Sequence, residues 1–115
     1  MATMATMERR FLAVLVALEP GEVVSYGDVA EVAGYPGRSR AVGRLLATTP
    51  LEVPWWRVVR SDGRLAAKPS TAQTGLLRAE GVVVRGGRVI ASPGGRFRGD
   101  PAGSASRPCR PARSR

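Results

Sequence analysis

Residues 25–46, SYGDVAEVAGYPGRSRAVGRLL, decide the fold. Ser25 stands three residues before Asp28, the spacing at which a side chain and a backbone amide cap each other at a helix start. A helix over 26–33 follows, with Val29, Ala30 and Ala33 inward and Gly34 at the position that closes a helix. The turn Tyr35-Pro36-Gly37 leads to a second helix over 38–48, whose apolar face is Val42, Leu45 and Leu46. Two short helices joined by a tight turn predict a helix-turn-helix. The second helix opens Arg38-Ser39-Arg40, and Arg44 lies one turn after Arg40. Cations at a helix start oppose its dipole by about 0.3–1 kcal/mol each. External anions such as phosphates would offset that. Ala41 and Gly43 are small and permit close approach of the backbone to a ligand. DNA binding is one reading of this face, and a solvated arginine face on a helical domain is the other.

On the N-terminal side, Thr6 caps an expected helix over about 7–18, with Phe11, Leu12, Leu15, Val16 and Leu18 on one face. Glu19-Pro20-Gly21 ends it, and Val23-Val24 forms a short extended piece. On the C-terminal side, Pro50 and Pro54 bracket a loop, Trp56 to Val59 reads as a strand, and Ser61-Asp62-Gly63 as a tight turn. A last short helix is expected over Thr74 to Glu80, stopped by Gly81. Val82-Val83-Val84 and Arg88-Val89-Ile90 flank Gly86-Gly87, a two-residue hairpin signal that suits a wing. The expected class is therefore mainly α with a small β wing, a winged helix-turn-helix. Its expected layout is an N-terminal extension over 1–7, a domain over 8–90 and a tail over 91–115.

Composition narrows the chemistry. The chain has 115 residues, 18 Lys and Arg against 9 Asp and Glu, and a formal net charge of +9. Lys68 is the one lysine, Cys109 the one cysteine, and there is no histidine. A His-based metal site, a Ser-His-Asp triad and a Cys-His pair are excluded within the chain, as is an internal disulfide. No metal and no cofactor is expected. No apolar run approaches the roughly 18 residues that span a bilayer, and the start lacks the order of a signal peptide. A soluble, cytoplasmic protein with a polyanionic partner is the expectation. Residues 91–115 hold six of the basic residues and one acid, with Phe97 their one large apolar side chain. Such a segment is expected to be disordered, either a nucleic-acid tether or a solvated tail. Cys109 within it reads as an incidental thiol.

The string PGEVVSYGDVAEVAGYPGRSRAVGRLL, followed by VPWWRVV and LLRAEG, resembles the DNA-binding domain of the O6-alkylguanine-DNA alkyltransferases. The likeness covers about residues 8–90. In the active family the P-x-x-RVV motif reads Pro-Cys-His-Arg: the cysteine takes the alkyl group and the histidine helps ionise it. Here those positions are Trp55 and Trp56. An indole cannot become the attacking thiolate, so no catalytic residue and no enzyme activity is expected. The resemblance is then to the alkyltransferase-like proteins, the non-enzymatic branch with tryptophan in place of the cysteine. It implies binding of duplex DNA that contains O6-alkylguanine, flipping of the damaged base, and transfer of the lesion to nucleotide excision repair. The acting unit is expected to be a monomer, away from membranes. Trp56 departs from the commoner Pro-Trp-His of that branch, and TTPLEV lacks the asparagine that usually precedes the proline. Both departures bear on pocket shape.

The resemblance also implies roles residue by residue. Tyr26 crowds the phosphate beside the target, and Arg40 enters the stack in place of the flipped base. Ser39, Ala41 and Gly43 line a helix that lies in the minor groove, only about 6 Å wide, while Arg44 meets the backbone. Trp55, with Arg57, is the expected lesion-pocket residue and Trp56 a core residue. Glu80 matches the glutamate that orients the histidine and is expected to have nothing left to orient. Lys68 or Arg64 approaches the base from the wing side. Plainer alternatives stand beside these: Tyr26 a first-turn helix residue, Arg40 a phosphate contact without insertion, Gly43 simple helix packing, Trp55 a buried core residue. The alternative function is a winged helix-turn-helix transcription regulator that reads sequence.

Overall fold

In the computed structural model, residues 6–67 and 69–99 are described. Lys68, Cys109 and most of the expected tail lie outside them. Helix α1 spans Thr6–Val16 and turns Phe11, Leu12 and Leu15 inward. Strand β1, Glu22–Ser25, leads directly into α2, Tyr26–Val32. The capping box forms as its spacing predicts: the Asp28 amide donates to Ser25 Oγ and the Ser25 amide to Asp28 Oδ2, both at 3.0 Å. Gly34, at φ 94°, lets the chain leave α2 through a left-handed conformation that a side chain would strain. Helix α3, Ser39–Thr48, follows and buries Val42 and Leu45.

Beyond α3, the expected strand over 56–59 is shorter. Trp55–Arg57 form one 3-10 turn, and β2 is only Val58–Val59. The C-terminal helix α4 starts earlier than expected, at Thr71, and runs to Ala79. Strands β3, Val83–Arg85, and β4, Arg88–Ala91, form the predicted hairpin, with Gly86 and Gly87 both at positive φ.

The expected limit of order at residue 90 is passed. Gly94–Gly95 form β5, which pairs with β1 in a parallel sheet of order β2-β1-β5. The Arg96 amide donates to the Val23 carbonyl at 2.8 Å, and Phe97 packs on buried valines. Composition misses this because the segment is held largely by backbone bonds to the edge of β1, which need no apolar side chains.

The central strands divide two cores, since successive strand side chains point to opposite faces. Val58 joins the helical core with Phe11, Leu15, Val29 and Val42. Val59 and Val23 face the other way, to Leu77, Val82, Val84 and Val89. The 3-10 turn that precedes β2 therefore sits where the two cores meet.

Candidate nucleic-acid interface

Helix α3 is built to present charge outward. Its N-cap is Arg38, whose side chain makes no capping bond, and no acid stands in its first turn. Ser39, Arg40 and Arg44 are exposed, with no ion pair or side-chain hydrogen bond among the described residues for Arg40 and Arg44. Ala41 and Gly43 are half-buried on the same helix. A Cβ placed on Gly43 would stand 3.9 Å from Tyr26 Cε1, an ordinary contact. Packing against Tyr26 therefore does not demand a glycine. Tyr26 is half-buried between α2 and α3, where burial raises its pKa and the charge of Arg60 offsets part of that.

The Pro54-Trp55-Trp56-Arg57 turn is anchored from α4. Gln73, 1% exposed, donates its amide to the carbonyls of Trp56 and Val58 at 3.1 and 3.2 Å. Glu80, at the end of α4, carries more. Its Oε2 accepts the Trp56 indole N–H at 2.8 Å, and its Oε1 accepts the Gly21 amide at 2.7 Å. The Arg57 guanidinium grips the same carboxylate through Nε and Nη2, the latter at 2.7 Å. Burial by itself would raise the Glu80 pKa. The Arg57 hydrogen bond, the Gly21 amide, the Trp56 N–H and the Arg57 charge outweigh it and hold the carboxyl below its ordinary range.

One expectation changes, and Trp56 and Arg57 gain partners the sequence did not suggest. Glu80 has not lost its partner: the indole of Trp56 supplies the N–H that the resemblance assigns to a histidine. Trp56 is half-buried and hydrogen-bonded, packing on the β-side core while fixed at its polar edge. Arg57, expected in the lesion pocket, borders the cleft at 9% exposure. All three of its guanidinium nitrogens are engaged, Nη1 with the Leu18 carbonyl at 2.8 Å. It is a strut between α1, the turn and α4.

Trp55, the other residue expected in the lesion pocket, lies at the surface. It is 36% exposed and packs edge-to-face on Trp56, with centroids 6.0 Å apart at 89°. It lines a cleft of about 700 Å³ with Leu46, Thr49 and Leu51 on the C-terminal side of α3. Tyr26 and Ser39 line a different cleft, of about 450 Å³, together with Arg60 and Arg96. Arg96 reaches it from the β5 segment, with Nη1 3.0 Å from Asp28 Oδ1. Sequence reasoning missed Gln73, Arg60 and Arg96. Arg60 carried a signal, a cation immediately after the RVV of the motif. Among the described residues, no group of three or more His, Cys, Asp or Glu is placed to hold a metal ion.

A sequence profile of the 6-O-methylguanine DNA methyltransferase DNA binding domain matches residues 6–82. A DNA base-flipping protein of Vibrio parahaemolyticus is 38% identical over 79 residues, covering 65% of this chain and 79% of the relative. A DNA base-flipping protein of Escherichia coli is 39% identical over 82 residues, covering 68% of this chain and 64% of the relative. The fold also matches a crystal structure of S. pombe Atl1 in complex with damaged DNA containing O6-carboxymethylguanine. There the TM-score is 0.63 at 27% identity, over 73% of this chain and 83% of that one.

Proposed function

The chain belongs to the family of the 6-O-methylguanine DNA methyltransferase DNA binding domain, in its alkyltransferase-like branch, and we propose that it is a non-enzymatic sensor of O6-alkylguanine in duplex DNA. Helix α3 enters the minor groove, Arg40 occupies the space of the rotated nucleotide, and the damaged base is held without loss of its alkyl group. The bound complex then marks the lesion for nucleotide excision repair. This reading carries with it a monomer as the acting unit and a cytoplasmic location beside duplex DNA.

The observation that carries it is Trp55. By the resemblance of its motif it matches the acceptor cysteine of the active enzymes, and it is partly exposed at the mouth of a cleft and braced by the Trp56–Glu80 pair. An aromatic wall there can pack on an alkyl group or a flipped base, and it offers no sulfur for transfer. The relatives named above as base-flipping proteins, and the Atl1 complex with an O6-alkylated guanine, support the same reading.

The test is paired titration of duplexes that differ only in one O6-methylguanine, repeated in unrelated flanking sequences. A preference for the lesion in every context is expected. Preference for one sequence regardless of the lesion overturns the proposal and favours a transcription regulator.

A further inference from the structure

A second concentration of positive charge lies away from α3, on the β3–β4 hairpin and the turn beneath it. Arg64, Arg85 and Arg88 line a concavity of about 510 Å³ with Leu65, Gly86 and Gly87, and no acid lines it. Asp62 lies close by, 3.5 Å from Arg64 and 3.7 Å from Arg88. One carboxylate thus serves two guanidiniums, and Arg85 has no ion pair among the described residues. The side chains of Arg64 and Arg88 remain 63% and 44% exposed. Gly86 and Gly87 meet the positive φ of the turn, and a Cβ on either would meet nothing within 4 Å. The hairpin tip is bare backbone beside three cations.

This surface is tied by backbone bonds to the turn that follows β2 and carries Arg60. The Arg60 amide donates to the Arg64 carbonyl at 3.0 Å, Leu65 to Gly87 at 2.9 Å, and Val89 to Gly63 at 2.8 Å. Arg60 lines the cleft at the start of α3 with Tyr26 and Ser39. Arg60 thus links, through one backbone bond, the cleft at the start of α3, which Asp28 and Glu31 also line, to the loop that carries Arg64. The hairpin lies beyond residue 82, where the family profile ends.

We propose that Arg64, Arg85 and Arg88 form a second phosphate-binding surface, which holds the backbone of the same duplex outside the stretch contacted by α3. This rests on the reading of the chain as a duplex-DNA binder and extends its footprint. The ligand is a phosphodiester, not a base. The concavity offers guanidinium forks and backbone, which match phosphate oxygens, and no aromatic side chain lines it to stack on a base. Phosphate contacts of this kind strengthen binding without carrying sequence information.

The experiment measures affinity across a salt series for a short and a long duplex, each with and without O6-methylguanine. The proteins are the full chain and its Arg64→Gln/Arg85→Gln/Arg88→Gln variant. Each phosphate contact contributes roughly 0.9 to the slope of log K against log salt. The triple variant should lose about two to three units of slope on the long duplex, lose its advantage for long over short, and keep its lesion preference. Arg85→Gln alone should lose about one unit, and among the described residues it breaks no ion pair. Lysine at all three positions should restore the slope, since a point charge suffices.

An unchanged slope in both glutamine variants overturns the proposal. So does an unchanged slope together with lost affinity for polyglutamate, which would assign the surface to an acidic protein. Failure of the wild type to bind duplex DNA is a separate outcome: it overturns the proposed function.

Discussion

Trp56 donates its indole N–H to Glu80 at 2.8 Å, and the same carboxylate is gripped by Arg57. One carboxylate thereby fixes both side chains that follow Trp55. The Arg57 guanidinium lies 5.1 Å from the centre of the Trp56 ring, a cation–π contact that adds to the bracing. Held at its polar edge, Trp56 gives Trp55 a fixed aromatic surface to pack on.

Replacing Trp56 separates the hydrogen bond from the packing. Trp56→Phe removes the donor, and Arg57 still satisfies Glu80. The loss should be about 1 kcal/mol, a fall of about 4–8 °C in Tm for a domain of this size. Trp56→His, which restores an N–H, should recover part of that and shift the emission of the remaining Trp55 relative to Trp56→Phe. Circular dichroism melts and fluorescence check both. Equal Tm for Trp56→Phe and wild type would show that the bond contributes nothing.

The Glu80 network makes a pH signature. Its folded pKa lies below the ordinary 4.5. A depressed carboxylate contributes stability that is complete above its unfolded pKa and is lost as pH falls through the folded one. Urea midpoints should hold steady from neutral pH down to about 5 and drop below 4.5. Glu80→Gln should lower stability at neutral pH by about 3 kcal/mol, as leaving the buried Arg57 unpaired implies, and should flatten the acid fall. Parallel acid profiles for the two proteins would assign the fall to other carboxylates.

The two short helices were legible because their signals are local. Ser25 and Asp28 specify the start of α2, Gly34 its end, and Val42 and Leu45 the inward face of α3. The hairpin was legible from Gly86-Gly87 for the same reason. The Glu80 network was not, since it forms only when the end of α4 docks on the motif and on Gly21, contacts that join distant parts of the chain. The resemblance pairs Glu80 with a histidine and so leaves it idle, although an indole carries the same kind of donor. Residues 92–99 were illegible for a different reason. They add backbone bonds to the edge of β1, and composition records side chains only. The separation of Tyr26 and Trp55 into two clefts depends on how α3 and the 3-10 turn meet, which no spacing encodes.

Gly43 tests whether α3 approaches a groove. Glycine within a helix costs about 0.5–1 kcal/mol relative to alanine, and the protein itself has room for the extra methyl. Gly43→Ala should therefore raise Tm by several degrees. It should also weaken binding to damaged and undamaged duplexes alike, because the methyl stands between helix and groove. A raised Tm with unchanged affinity would place Gly43 away from the DNA.

Trp55→Cys tests the chemistry. The wild type should acquire no labelled methyl from O6-methylguanine DNA, and a methyl adduct on any residue by mass spectrometry would refute that. The cysteine variant should transfer poorly at neutral pH. Glu80 is already committed to Trp56 and Arg57, no imidazole is present, and the thiol would rely on a pKa of roughly 8.5. Its transfer rate should rise with pH through that value.

Arg40 and Arg44 lie one turn apart on α3, both exposed, yet they are expected to do different work. Unpairing and unstacking a base costs a few kcal/mol, least for a damaged one. An O6-alkyl group weakens the pairing of guanine, so the lesion lowers the cost of rotation, and the protein must then hold the open state. Arg40, filling the vacated space, would do that by stacking and hydrogen bonding. Arg44, on the backbone, would contribute to any duplex. Arg40→Ala should therefore erase most of the lesion preference and the fluorescence rise of a 2-aminopurine placed beside the lesion. Arg44→Ala should weaken both duplexes by a similar factor and leave that rise intact. Equal losses on both duplexes for Arg40→Ala, with the fluorescence rise preserved, would make Arg40 a phosphate contact and remove base rotation from its role.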